Sequence, residues 1–308
     1  MKNTELIILS LKKSKKLKFL KKRLREIGVN YSILYGIDGR KPKNHNFLKK
    51  YYDDEGARKF TGRSLRFPEI AASLAHINAY KHIVLNNISS AIIVEDDAYP
   101  SMYLKHWIES GCKIKNNLIL SFYSYPGGYV SKVSYKNYLK GKIKAYKAKT
   151  HLYNSSFYQI NLNTCKTILK LTGGKVKAFG DWPILPNDTK IKFATTIPYL
   201  TVMDKFNNSL IKNYRIESNN FLPKLIGYRV TGCLRDFFHF FGLGYFFSKN
   251  KNSQIYFHHY FYKSLVGFVN LFNRKYLDTK KLYFNKDTYA EDLHKDLKIM
   301  IANSDIKL

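Results

Sequence analysis

AIIVEDDA, residues 91–98, is the stretch whose reading decides the fold. Ala91–Val94 is a short, β-branched apolar run that reads as a buried strand, and Glu95, Asp96 and Asp97 follow at once. Adjacent like charges repel unless a cation offsets them. In an open α/β sheet, ligands bind beyond the carboxyl ends of the strands, so carboxylates placed there can face a divalent ion and a nucleotide. Magnesium and manganese favour oxygen ligands and keep positions open for substrate phosphates, a use that the Glu-x-Asp spacing suits. The plainer alternative is a solvated acidic turn. The other acidic triplet, Asp53-Asp54-Glu55, has no strand before it and reads as a loop.

The flanking sequence supports the sheet. Residues 5–11 (ELIILSL) form an apolar run, and Leu17, Leu20, Leu24 and Ile27 then recur at helical spacing before Gly28. A second run, YSILY at 31–35, leads into Gly36–Gly39, so the opening is a βαβ unit with parallel strands. The spacing of Ile70, Leu74, Ile77 and Val84 predicts a helix from about Pro68 to Asn86. Leu118–Tyr123 and Phe157–Ile160 read as further strands, and Thr164–Leu171 as a helix ended by Gly173-Gly174. Residues 132–149 carry seven lysines and read as an exposed loop or excursion.

With 308 residues and 45% hydrophobic side chains, the chain has ample material for a core, which excludes a globally disordered protein. The formal net charge of +31 suits a polyanionic or anionic-membrane partner, or else reflects an AT-rich codon bias toward lysine. Its excess is uneven: residues 1–215 hold 39 basic and 14 acidic side chains, residues 216–308 hold 14 and 8. The expected organisation is therefore a main domain over 1–215 and a helical, aromatic-rich extension over 216–308. The extension's FFHFFGLGYFF (237–247) and IYFHHYFYKSLVGFVNLF (255–272) are too short or too interrupted to span a bilayer. Cys112, Cys165 and Cys233 show neither disulfide nor zinc spacing, which suits a reducing cytosol, and no secretion signal is evident.

In order and spacing, SLKKS (10–14), GIDGR (36–40), PEIAASLAHI (68–77) and IIVEDDA (92–98) resemble glycosyltransferase family 25, the bacterial lipopolysaccharide and lipooligosaccharide glycosyltransferases. FGDWPIL (179–185) and IPYLTVMDKFNNSLI (197–211) extend the likeness, which covers about residues 4–215. The resemblance implies an α/β, GT-A-like fold with a Rossmann-like, mostly parallel sheet, and inverting transfer from a nucleotide sugar. It implies Asp97 as the direct ligand of Mn²⁺ or Mg²⁺, Glu95 at the donor ribose or metal shell, Asp96 as their support and Asp181 as the catalytic base. Asp181 has a rival role as a helix N-cap before Pro183. Ser10, where asparagine often ends the first strand, and His76 complete the donor-binding candidates. His76 pairs with Glu69 seven residues, about two turns, earlier, and reads as a satisfied structural histidine or as a donor contact. Pro68, Ala75 and Asn154-Ser155-Ser156 depart from the family pattern.

The expected activity is metal-dependent transfer of a hexose, galactose or else glucose, from a UDP-sugar to a lipid-linked or oligosaccharide acceptor of a bacterial surface glycan. The basic helix at 12–25 and the aromatic tail suit a peripheral place on the inner face of the cytoplasmic membrane. The rival is a non-catalytic nucleic-acid-binding protein, motivated by the charge and by lysines interleaved with tyrosines, though no recognised nucleic-acid module is written in the chain.

Overall fold

The computed structural model describes residues 4–61, 64–123, 129–131, 134–148, 154–177, 190–197, 199–203 and 274–276. Its opening is the expected βαβ unit: β1 (Glu5–Ser10), α1 (Lys16–Glu26) and β2 (Ser32–Tyr35), with β1 and β2 parallel. The connecting helix buries Leu17, Leu20 and Leu24, the stripe that the spacing predicts. β3 (Ser90–Glu95) lies parallel to β1 on its other side, with Leu9 opposite Glu95. Its acids therefore emerge beside the end of β1.

Among the described residues, β4 (Ala98–Pro100), β5 (Leu118–Ser121), β6 (Tyr129–Ser131), β7 (Lys136–Tyr138), β8 (Ile143–Lys147), β9 (Phe157–Asn161), β10 (Lys192–Ile197), β11 (Thr201–Met203) and β12 (Arg274–Tyr276) complete the strands. Eight form one sheet in the order β2-β1-β3-β9-β5-β10-β8-β7, while β4 pairs with β11 and β6 with β12. In the large sheet β9 runs against β3 and β5, and β8 against β10 and β7, so six strands share one direction and two oppose it. This mixed, mostly parallel sheet is the GT-A-like α/β architecture.

The α-helices among the described residues are α2 (His45–Lys50), α3 (Asp54–Thr61), α4 (Phe67–Leu85), α5 (Tyr103–Glu109) and α6 (Leu162–Thr172), besides α1. The central strands are buried on both faces, which is why β1 and β3 are continuous apolar runs rather than alternating ones. Leu6, Ile8, Ile92 and Val94 face α1 and α5, whose Trp107 is fully buried and donates through Nε1 to Gln159 at 2.9 Å. Ile7, Leu9, Ala91 and Ile93 face α4 and α6. Each fully buried Ile, Leu or Val contributes about 1.5–3 kcal/mol, so these two strands anchor the fold and fix what lies at their ends. α6 begins where Asn161 accepts from the Thr164 amide and ends at Gly173, whose φ of 61° suits a residue without Cβ.

Two sequence expectations are corrected. Asp53-Asp54-Glu55 is a helix start, not a loop: Asp53 accepts from the Gly56 amide at 3.0 Å, and Asp54 and Glu55 lie in the first turn of α3. Carboxylates there satisfy unpaired N–H groups and complement the helix dipole. Residues 132–149 are not simply an exposed excursion, since β7 and β8 form the sheet's outer hairpin and bury Tyr138, Ile143, Ala145 and Tyr146. Lys144 and Lys147 are interspersed with side chains buried on both faces of β8, so the positive count concealed a strand. The aromatic extension over 216–308 lies outside the described residues, save Arg274–Tyr276, which is a strand.

The GIDGR stretch closes the turn after β2. Gly36 donates its amide to the Ser10 carbonyl at 2.8 Å, and Asp38 takes a two-point hydrogen bond from the Arg40 guanidinium at 2.7 and 2.8 Å. At Gly39 a Cβ would lie 2.3 Å from the Phe67 carbonyl oxygen. Only glycine lets this turn rest on the start of α4.

Candidate active site

Register brings the acids to the mouth of β1. Ser10, the last residue of β1, donates its hydroxyl to Asp96 Oδ2 at 2.5 Å, which turns that carboxylate back toward the first strand. Glu95 ends β3, and its amide donates to the Ser156 carbonyl at 2.7 Å. Asp97, with Asp96, makes the turn into β4, and Lys16 Nζ lies 3.5 Å from its Oδ2. Its Oδ1 is buried and has no hydrogen-bond partner.

Behind Glu95 a chain of hydrogen bonds runs into the core. His76 Nε2 is 3.3 Å from Glu95 Oε1, and His76 Nδ1 is 2.9 Å from the Tyr158 hydroxyl, which in turn is 2.8 Å from the Tyr80 hydroxyl. An ionised carboxylate only accepts, so Nε2 is the donor to Glu95, and the Nδ1–Tyr158 and Tyr158–Tyr80 contacts carry the chain on into the core. Burial pushes both phenols far above their ordinary range, so they remain protonated donors. Ser155 adds its hydroxyl, 3.4 Å from Glu95 Oε1 and 3.3 Å from His76 Nε2.

The two outer acids are tuned in opposite directions. Burial raises the Glu95 pKa, but the His76 hydrogen bond and charge, with Ser155, outweigh it and hold the carboxyl below its usual range. Asp97 is pushed up to about 7, first by burial and then by the Glu95 charge, with only partial relief from Lys16. Such a site favours a cation. Among the described residues no three or more His, Cys, Asp or Glu are gathered to hold a metal by themselves. Mg²⁺ or Mn²⁺ that keeps water or phosphate oxygens needs only one or two carboxylates, and the buried, unpartnered Asp97 Oδ1 fits one such ligand.

Of the candidates read from sequence, Ser10, His76, Glu95, Asp96 and Asp97 are brought together. Asp181 lies outside the described residues. His76 is 3% exposed and reaches the pocket through Glu95, while Glu69 accepts from the Arg66 amide at 2.9 Å and closes the start of α4. Their shared helix face thus serves two places. Sequence reasoning did not single out Lys16, Ser155, Tyr80 or Tyr158 as site residues. Ser155 carried a signal, because its triplet departs from the family pattern; Lys16 carried none within a run of lysines.

Two solved structures are similar to the chain. One is the mannose-1-phosphate geranyltransferase from Thermus thermophilus, with 9% identity and a TM-score of 0.36 over 63% of this chain and 74% of that one. The other is a glycosyltransferase involved in the glycosylation of the major capsid of PBCV-1, with 14% identity and a TM-score of 0.26 over 54% and 66%. No curated protein matches the chain significantly. The family model for glycosyltransferase family 25 (LPS biosynthesis protein) matches residues 3–180, more than half of the chain and every described residue of the pocket. The chain belongs to glycosyltransferase family 25 and is a glycosyltransferase.

Proposed function

We propose that the protein moves a hexose, galactose or glucose, from a UDP-sugar to a lipopolysaccharide, lipooligosaccharide or related surface glycan with inversion at the anomeric carbon. The observation that carries this reading is Asp97 Oδ1, buried without a partner at the end of β3 beside two further acids. A divalent ion bound there would offset charge on the departing diphosphate. Asp97 and Glu95 would hold it, while Ser10 and Asp96 shape the donor side and His76, Tyr158 and Ser155 keep Glu95 ionised and oriented. Asp181 would take the acceptor hydroxyl's proton as that oxygen attacks from the face opposite the leaving group.

A thermal-shift titration with UDP checks the donor half, and a screen of nucleotide sugars with a glycan acceptor checks transfer. UDP should raise the melting midpoint with Mn²⁺ present and much less with EDTA, and one hexose donor should release UDP. An equal shift with and without metal removes the metal from the reading; no shift and no release removes the donor.

Acceptor access extends the reading to a membrane surface. Phe19 is 66% exposed on α1, and Lys12, Lys13, Lys15 and Lys18 around it are exposed too. Basic residues near an anionic leaflet each contribute about 1 kcal/mol, and an aromatic ring can settle at the headgroup level. Among the described residues no helix is long and apolar enough to cross a membrane. The protein should cosediment with phosphatidylglycerol vesicles, less so as Phe19→Asp, and stay in solution with phosphatidylcholine. Equal behaviour toward both lipids would retire the surface.

A further inference from the structure

The lysines that follow β1 are not equivalent. Lys12, Lys13, Lys15 and Lys18 are exposed, but the Lys16 side chain is 23% exposed and turns toward Asp97, itself 25% exposed. Asp97 therefore presents two different oxygens, Oδ2 beside the Lys16 ammonium and Oδ1 buried with no partner. Lys16 also begins α1, at the carboxyl end of β1, where an open α/β sheet receives its ligands.

We propose that Lys16 is a positioning residue that holds Asp97 by Oδ2, leaves Oδ1 to a divalent cation, and supplies a fixed positive charge to the diphosphate of the donor. The proposal rests on the UDP-sugar reading above and adds a residue to it. Its two consequences have opposite signs. An ammonium beside Asp97 repels a second cation arriving at the same carboxylate, so in the free protein it weakens metal binding. The same charge attracts a diphosphate, so it strengthens nucleotide binding. A side chain that merely supported the turn would shift both affinities the same way.

The test uses the full chain with Lys16→Gln and Lys16→Arg. Mn²⁺ binding without nucleotide is followed by the paramagnetic resonance of the free ion, and UDP binding at saturating Mn²⁺ by calorimetry. Lys16→Gln should bind Mn²⁺ roughly three-fold more tightly and UDP roughly ten-fold more weakly, the sizes expected for one screened charge. Lys16→Arg keeps the charge and should restore UDP binding to within about three-fold. If Lys16→Gln weakens both ligands, or changes neither, the proposal is overturned while the donor reading stands. Wild-type protein that binds neither Mn²⁺ nor UDP overturns the donor reading and the proposal with it.

Discussion

Asp97→Asn should lower sugar transfer by about 10²–10⁴-fold, the range for removing a charge that stabilises a departing anion, while making the metal-free protein more stable above neutral pH. The two effects share one cause. Burial and the Glu95 charge push the Asp97 pKa from 3.8 up to about 7, so the folded protein holds the proton more tightly than the unfolded chain. That contribution to stability is complete below pH about 4, and it is lost as pH rises through about 7. Its full size is on the order of a few kcal/mol, shared with the coupled Glu95. Asparagine has no proton to lose. Urea melts in EDTA should therefore show the wild type weakening between pH 4 and 8 more than Asp97→Asn does, and Mn²⁺ should restore the wild type alone. Full turnover in the variant would take Asp97 out of the site; parallel stability curves would mean that its carboxylate is not the strained one.

A stability gain coupled to a loss of activity is what a binding site built from repelling charges requires, because the repulsion is relieved only by the ligand. This was readable from sequence at the level of residue type and place. A β-branched run ending in three acids gives both the strand and the carboxylates beyond it, and the opening apolar runs gave a parallel βαβ unit because strands buried on both faces need no alternation. What depended on distant partners was not readable. Ser10 meets Asp96 across 86 positions through strand register, and Ser155 meets Glu95 across 60. Lys16 differs from its neighbours by orientation alone. Charge counting also misled where lysines are interspersed with buried side chains on β8, and where Asp53 caps a helix.

Removing His76 should have the second large effect, this time on stability in the ordinary direction. His76→Leu leaves Glu95, at the end of β3, without its nitrogen donor and the buried Tyr158 hydroxyl without its ring partner, midway along α4. Losing the buried partner at Tyr158 and the half-buried one at Glu95 costs about 2–3 kcal/mol. The pH dependence separates the two losses. Glu95 is held below its ordinary pKa, mainly by His76 against the opposing cost of burial, so its contribution is present above the unfolded value of 4.5 and is lost as pH falls through the lowered folded value. The gap between wild type and His76→Leu should then be widest at pH 6–7 and shrink toward pH 3. Tyr158→Phe removes the hydroxyl that bridges Nδ1 and Tyr80 but leaves the Nε2 contact, so it should cost about 1–3 kcal/mol, the same at every pH. Should the His76→Leu gap hold constant from pH 7 to pH 3, the histidine supports the core through Tyr158 alone, and the link from the buried tyrosines to the acid at the end of β3 is broken.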